Sequence, residues 1–126
     1  MNVKIDTKEK FTVITPEESQ LSANMTVELR ELLLSYLQKD IPHIVLNMHI
    51  VESADEKVCE TIASIQHQFY EKDCSFVISN MPAAVETVFI EKDLLGTMNF
   101  TPSESEAWDI VQMEEVEREL MRGEWD

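Results

Sequence analysis

Apolar and polar positions alternate through VKIDT (Val3 to Thr7) and again through FTVIT (Phe11 to Thr15). That period of two predicts a pair of strands, close enough in sequence to form a hairpin. Thr15-Pro16 and the polar EESQ break the alternation. From Ser22, a residue of N-cap type, the period changes: Met25, Leu29, Leu32, Leu33, Tyr36 and Leu37 fall on one helical stripe, which Asp40 and Pro42 end. HIVLNM (His43 to Met48) is short, β-branched and bounded by a proline, which predicts a buried strand.

VESADEKVCE (Val51 to Glu60) then opens a second helix, along which Val58, Ile62, Ile65 and Phe69 keep helical spacing. SFVIS (Ser75 to Ser79) is another buried strand. Pro82 suits the first turn of a short helix carrying Val85, Val88 and Phe89, which stops before Gly96. Met98 to Phe100 forms a brief final strand. Thr101-Pro102-Ser103-Glu104 has the form of a capping box with proline at the first helical position, and the helix it opens runs to about Met121.

The predicted order is β-β-α-β-α-β-α-β-α. Strand–helix alternation after a hairpin implies an α/β domain with a mixed, mostly parallel sheet of four to five strands and about four helices packed on it. The 126 residues fit one domain, 1–126, and their 44% hydrophobic content is ample for a packed core. Residues 113–126 form an extended acidic C-terminal helix or tail.

Charge narrows the partners. The chain carries 25 Asp and Glu against 10 Lys and Arg, a formal net charge of -15. A field of that sign repels nucleic-acid phosphates and anionic lipid headgroups, so neither nucleic acid nor direct membrane insertion is expected. A basic or amphipathic protein surface fits better. The N-terminal stretch has no uninterrupted apolar core of the secretory type, and no run of apolar residues is long enough to span a bilayer. A cytoplasmic location is expected, with Cys59 and Cys74 as free thiols, buried or half-buried.

Catalytic and cofactor chemistry finds little footing. Gly96 and Gly123 are the only glycines, so no phosphate-cradling glycine loop exists. His43, His49 and His67 lack metal-ligand spacing, and nothing pairs two carboxylates for acid–base work. No enzyme activity, cofactor or metal is expected.

Several local strings resemble one family. FTVITPEESQLSANMTVELRELL is similar to the opening strand, polar loop and first helix of the STAS domain, the fold of anti-sigma-factor antagonists and of the cytoplasmic part of sulfate transporters. HIVLN, followed after a loop by an Asp at a helix start, resembles that family's central strand and switch segment. FVISNMPAAVETVFIEKDLLGTMNFTPSESEAWDIV resembles its closing elements. The resemblance covers residues 3 to 115 and implies a non-enzymatic protein–protein interaction module. Its partner would be an anti-sigma factor of the switch-kinase type. Two alternatives stay open: a scaffold subunit that forms homodimers or a larger complex, and an accessory subunit of a lipid-transport ATPase.

Antagonists of the family are phosphorylated at the start of the second helix, within Asp-Ser-Ser/Thr-Gly. Laid on this sequence, the Asp falls on Asp55, the first Ser on Glu56, the phosphoacceptor on Lys57 and the Gly on Val58. A lysine offers a kinase no hydroxyl, so no phosphorylation is expected there; Ser53, the nearest serine, takes the position only by a register shift. The resemblance places partner binding on Ser22, Asn24, Ser53, Asp55, Glu56, Lys57 and Glu60. Helix N-termini favour anions, so Asp55 is expected to cap the helix and Glu56 to charge its first turn, while Lys57 pairs with Glu60 or points outward. Two readings remain for these charges: a well-capped helix that has lost its switch, or a fixed recognition surface.

The C-terminal segment poses a similar choice. Ile110, Met113, Val116 and Leu120 share a helical stripe, and from Thr101 onward nine acidic residues face two basic ones. Either the helix packs this stripe on the sheet behind an acidic solvated face, or its distal turns, with Trp125 beyond them, form a docking or dimer surface.

Overall fold

The computed structural model describes residues 1–123. Strands β1 (Val3–Thr7) and β2 (Thr12–Pro16) form the expected hairpin, with Ile5 opposite Ile14 and Lys8 N–H donating to Phe11 O at 2.8 Å to close the turn. β2 continues into a parallel ladder with β4 (Ile44–Asn47), β6 (Phe76–Ser79) and β7 (Phe100–Thr101). The sheet order is β1-β2-β4-β6-β7. A second, two-stranded sheet joins β3 (Gln20–Leu21) to β5 (Ser53–Ala54) in parallel.

Strand pleating divides the apolar side chains between two cores. Ile14, Ile44, Leu46, Phe76 and Ile78 point to one face, where α1 (Thr26–Ser35), α2 (Glu56–Glu71) and α3 (Ala83–Glu91) lie. Val13, Val45 and Val77 point to the other, against Ala107 and Val111 of α4 (Glu104–Met121). Both faces of the parallel strands are covered, which is why their sequences read as short apolar runs. Val58, Ile62, Ile65 and Phe69 are fully buried, as their spacing predicts.

The helix ends depart from expectation in detail. Asp73 (φ 57°) and Asp93 (φ 56°) occupy the left-handed region usually given to glycine. Each closes a Schellman turn: Cys74 N–H donates to Phe69 O and Asp73 N–H to Tyr70 O; Leu94 N–H donates to Phe89 O and Asp93 N–H to Ile90 O. Asp93 therefore stops α3, which ends before Gly96 as expected, and Gly96 lies in a 3-10 turn, Leu95–Thr97. Pro82 is the N-cap of α3, one residue before its first turn.

The expected capping box at Thr101 is displaced by two residues. Thr101 pairs with Ser79 in the sheet, and the N-cap of α4 is Ser103, whose hydroxyl accepts from Glu106 N–H at 3.3 Å. The final strand shifts likewise from Met98–Phe100 to Phe100–Thr101. Sheet pairing claims Thr101 before capping can. Ser22, expected to cap α1, precedes a 3-10 turn (Ala23–Met25) instead, and Met25 is the N-cap of α1.

The stripe of α4 also differs. Ile110 is half-buried against the second core, but Met113, Val116 and Leu120 face solvent. Trp125 lies outside the described residues. No helix among the described residues is long and apolar enough to cross a membrane.

Candidate functional site

The seven singled-out residues lie on two neighbouring segments. The β3–β5 pair builds the junction: Glu52 and Ser53 N–H both donate to Ser19 O, and Asp55 N–H donates to Leu21 O at 2.9 Å. This ladder sets the polar loop after β2 beside the start of α2. The end of EESQ, read as a simple break, enters its first strand: Gln20 and the following Leu21 make up β3, and two residues are too few for a periodic signal.

Asp55 occupies the N-cap position of α2 with an extended backbone, but its side chain makes no cap bond there. Its carboxylate accepts instead from Ala23 N–H at 2.8 Å, 32 residues back in the chain. The expected cap is thus a cross-link: Asp55 serves the 3-10 turn that leads into α1. Ser22 and Asn24, hydrogen-bonded to each other through Oγ and Oδ1, are brought next to Asp55 by this contact. A charge-assisted bond of this type contributes about 1.5–3 kcal/mol when shielded and less at an exposed site such as this.

Beyond Asp55 the first turn divides its charges. Glu56 pairs with Lys92, the C-cap residue of α3, at 3.1 Å, and the Glu56 carboxylate raises the Lys92 ammonium above the ordinary lysine value. The expected Lys57–Glu60 pair does not form among the described residues. Lys57 and Glu60 instead border a shallow recess with Arg30, Thr61 and Ser64, between α1 and α2. Lys57, Glu60 and Ser53 are exposed. Thr61 is buried, and its hydroxyl donates to Lys57 O at 2.8 Å.

Beneath this surface lies Cys59, fully buried, whose thiol is pushed up to about 11 by burial and by the carboxylates of Asp55, Glu56 and Glu60. It stays a protonated core side chain at neutral pH, not a nucleophile. No group of three His, Cys, Asp or Glu side chains among the described residues is placed to hold a metal ion. What the junction offers is a set of fixed, mixed-sign charges on a braced backbone.

Chains of known structure share this architecture. A Thermotoga maritima protein assigned as an anti-sigma factor antagonist aligns with a TM-score of 0.79 at 19% identity, over 87% of this chain and 94% of its own. A variant of RsbS from Moorella thermoacetica gives 0.73 at 20%, over 89% and 96%. A chain from the stressosome, a signal integration and transduction hub, gives 0.67 at 18%, over 86% and 96%. At these identities the likeness is one of fold. No curated protein sequence matches the chain. Residues 2–107 match the model of the STAS domain, and with most of its length inside that match the chain belongs to the STAS domain family.

Proposed function

We propose that this chain is a non-enzymatic interaction module of the anti-sigma-factor-antagonist type, which binds a protein partner through the junction around α2's start and does so without a phosphorylation switch. One observation supports this above the rest. Asp55 is engaged with Ala23, which locks the Ser22–Asn24 loop against α2, while Lys57 and Glu60 stay outward and exposed. The family's switch works by adding charge at this helix start, where a phosphate would gain from the helix dipole. Here the charges are permanent, carried by Glu56, Lys57 and Glu60.

Phosphate is therefore expected to be absent from residues 53–61 in protein isolated from its native cells. Thr61 is buried with its hydroxyl committed to Lys57 O, and Ser53 precedes the helix. Phosphopeptide analysis tests this; stoichiometric phosphate on either residue would refute the switch-free reading.

Lys57→Ser tests the surface itself. An exposed first-turn lysine gains nothing from the helix dipole, so the substitution should change stability by no more than about 0.5 kcal/mol. Affinity for an anti-sigma factor of the switch-kinase type should fall by more than that, chiefly through the association rate. Unchanged binding at low salt would leave Lys57 as a remnant of a lost switch.

A second reading, a subunit of a larger assembly, is favoured by the stressosome chain that shares the fold and by the missing hydroxyl at position 57. Light scattering separates the two: a mass many times that of one chain, in the absence of any partner, selects the assembly.

A further inference from the structure

α4 has two apolar faces, and the sheet uses one. At 100° per residue, Met113, Val116 and Leu120 fall within about 60° of one another and roughly opposite Ala107 and Val111, the residues buried on the sheet. The outer three are 57%, 48% and 56% exposed. A solvated helix face normally carries charge at such positions. Single exposed apolar residues are ordinary, but three in register over two turns make a contiguous stripe.

The stripe continues into a groove of about 500 Å³ between α4 and the segment before β4. Val111, Val116 and the exposed Ile41 line its apolar part. Its rim includes Glu9, Asp40 and Glu119 against Lys10. Along the helix, Asp109 and Glu117 flank the stripe. Arg118, the one basic residue within α4, is committed to Ser75 Oγ, to which it donates at 2.8 Å, and to Glu115 on the groove's inner wall, with which it pairs at 3.3 Å.

We propose that this outer face of α4 is a second docking surface, whose occupant is a cationic amphipathic segment of another protein, apolar residues in the stripe and groove and Lys or Arg over the acidic rim. Charge decides between occupants. A second copy laying its own α4 here would bring Asp109, Glu117 and Glu119 of both chains together in a protein already at -15. Anionic lipid and nucleic acid meet the same repulsion. A basic helix gains from both features, in the groove-binding mode that reads spaced apolar anchors. α4 covers the sheet face opposite α2, so the junction and this surface can be occupied together.

The test uses isotope-labelled protein and a synthetic helical peptide with leucine on one face and lysine on the other. Amide shifts should cluster at residues 110–120 and around Ile41. Affinity should fall at least tenfold in the double variant Val116→Ser/Leu120→Ser, and severalfold in Asp109→Asn/Glu117→Gln. Both pairs are exposed, so the thermal midpoints should stay close to wild type. The same peptide with glutamate in place of lysine should not bind, and Lys57→Ser should leave binding unchanged, which separates this surface from the junction. Shifts spread over the acidic surface, with affinity indifferent to the stripe variant, would overturn the proposal as charge attraction alone. A wild-type dimer that the stripe variant dissociates would overturn it in favour of a second copy.

Discussion

Replacing Phe69 with alanine should cost about 3–5 kcal/mol of folding stability, the range for deleting a fully enclosed aromatic side chain. Phe69 has no solvent exposure and meets Phe76 edge to face, with centroids 5.3 Å apart and planes at 81°. That geometry adds about 0.5–1.5 kcal/mol beyond the area buried. The neighbours cannot collapse into the gap easily, because Phe69 O also anchors the Schellman turn at Cys74. For a domain of this size, total stability of about 5–15 kcal/mol makes the loss severe. Urea unfolding should show a lower midpoint with an unchanged slope. Phe69→Leu should lose markedly less, since it keeps most of the apolar volume. A midpoint for Phe69→Ala within error of wild type would mean that α2 presents another face to the sheet.

Phe69 was visible in the sequence because burial there is periodic. Val58, Ile62, Ile65 and Phe69 repeat at helical spacing, and the strands read as apolar runs bounded by a proline or polar residues. The helix stops were written in the chain too, but in a form that a search for glycine misses. Glu-Lys-Asp occurs twice, at 71–73 and 91–93, each time followed by an apolar residue, and each Asp takes the left-handed position of a Schellman turn. Aspartate tolerates that region better than most side chains. With two glycines in the whole chain, this substitution is how α2 and α3 end.

The junction was legible in position and not in wiring. The change from strand to helix around Asp55 follows from local pattern, and the residue does sit at the N-cap. Its contact with Ala23 is long-range, set by the two-residue β3–β5 ladder that local periodicity cannot reveal. The same limit explains Thr101. By type it is as good a cap as Ser103, and its pairing with Ser79 decides between them. In α4, the stripe itself was plain, yet whether it met sheet or solvent depended on where Ala107 and Val111 fall on the wheel.

A polar residue inside the core is the hardest to foresee, and Gln66 carries the other large effect. It lies on α2's buried face, 3% exposed, among Ile62, Ile65 and Phe69. Its amide nitrogen donates to Phe76 O at 2.7 Å and Asn99 O at 3.0 Å, and its carbonyl oxygen accepts from Asn99 N–H at 3.0 Å. One side chain thus ties the middle of α2 to β6 and to the residue that leads into β7. Gln66→Leu preserves much of the volume but removes all three bonds, and a shielded backbone group left unpaired costs about 1–3 kcal/mol. Phe76 O retains a long contact from Tyr70 Oη at 3.4 Å and Asn99 O keeps the Ile78 N–H at 3.1 Å, so the loss falls chiefly on the Asn99 N–H. The expected cost is about 1–3 kcal/mol, against a change within about 0.5 kcal/mol for Ser64→Ala at an exposed position of the same helix. Hydrogen exchange distinguishes this from simple repacking: the Asn99 amide should lose protection well beyond what the global change predicts, because its acceptor is gone. Full protection at Asn99 together with a wild-type midpoint would show that water or a neighbour replaces Gln66, and that β7 is held to the sheet without it.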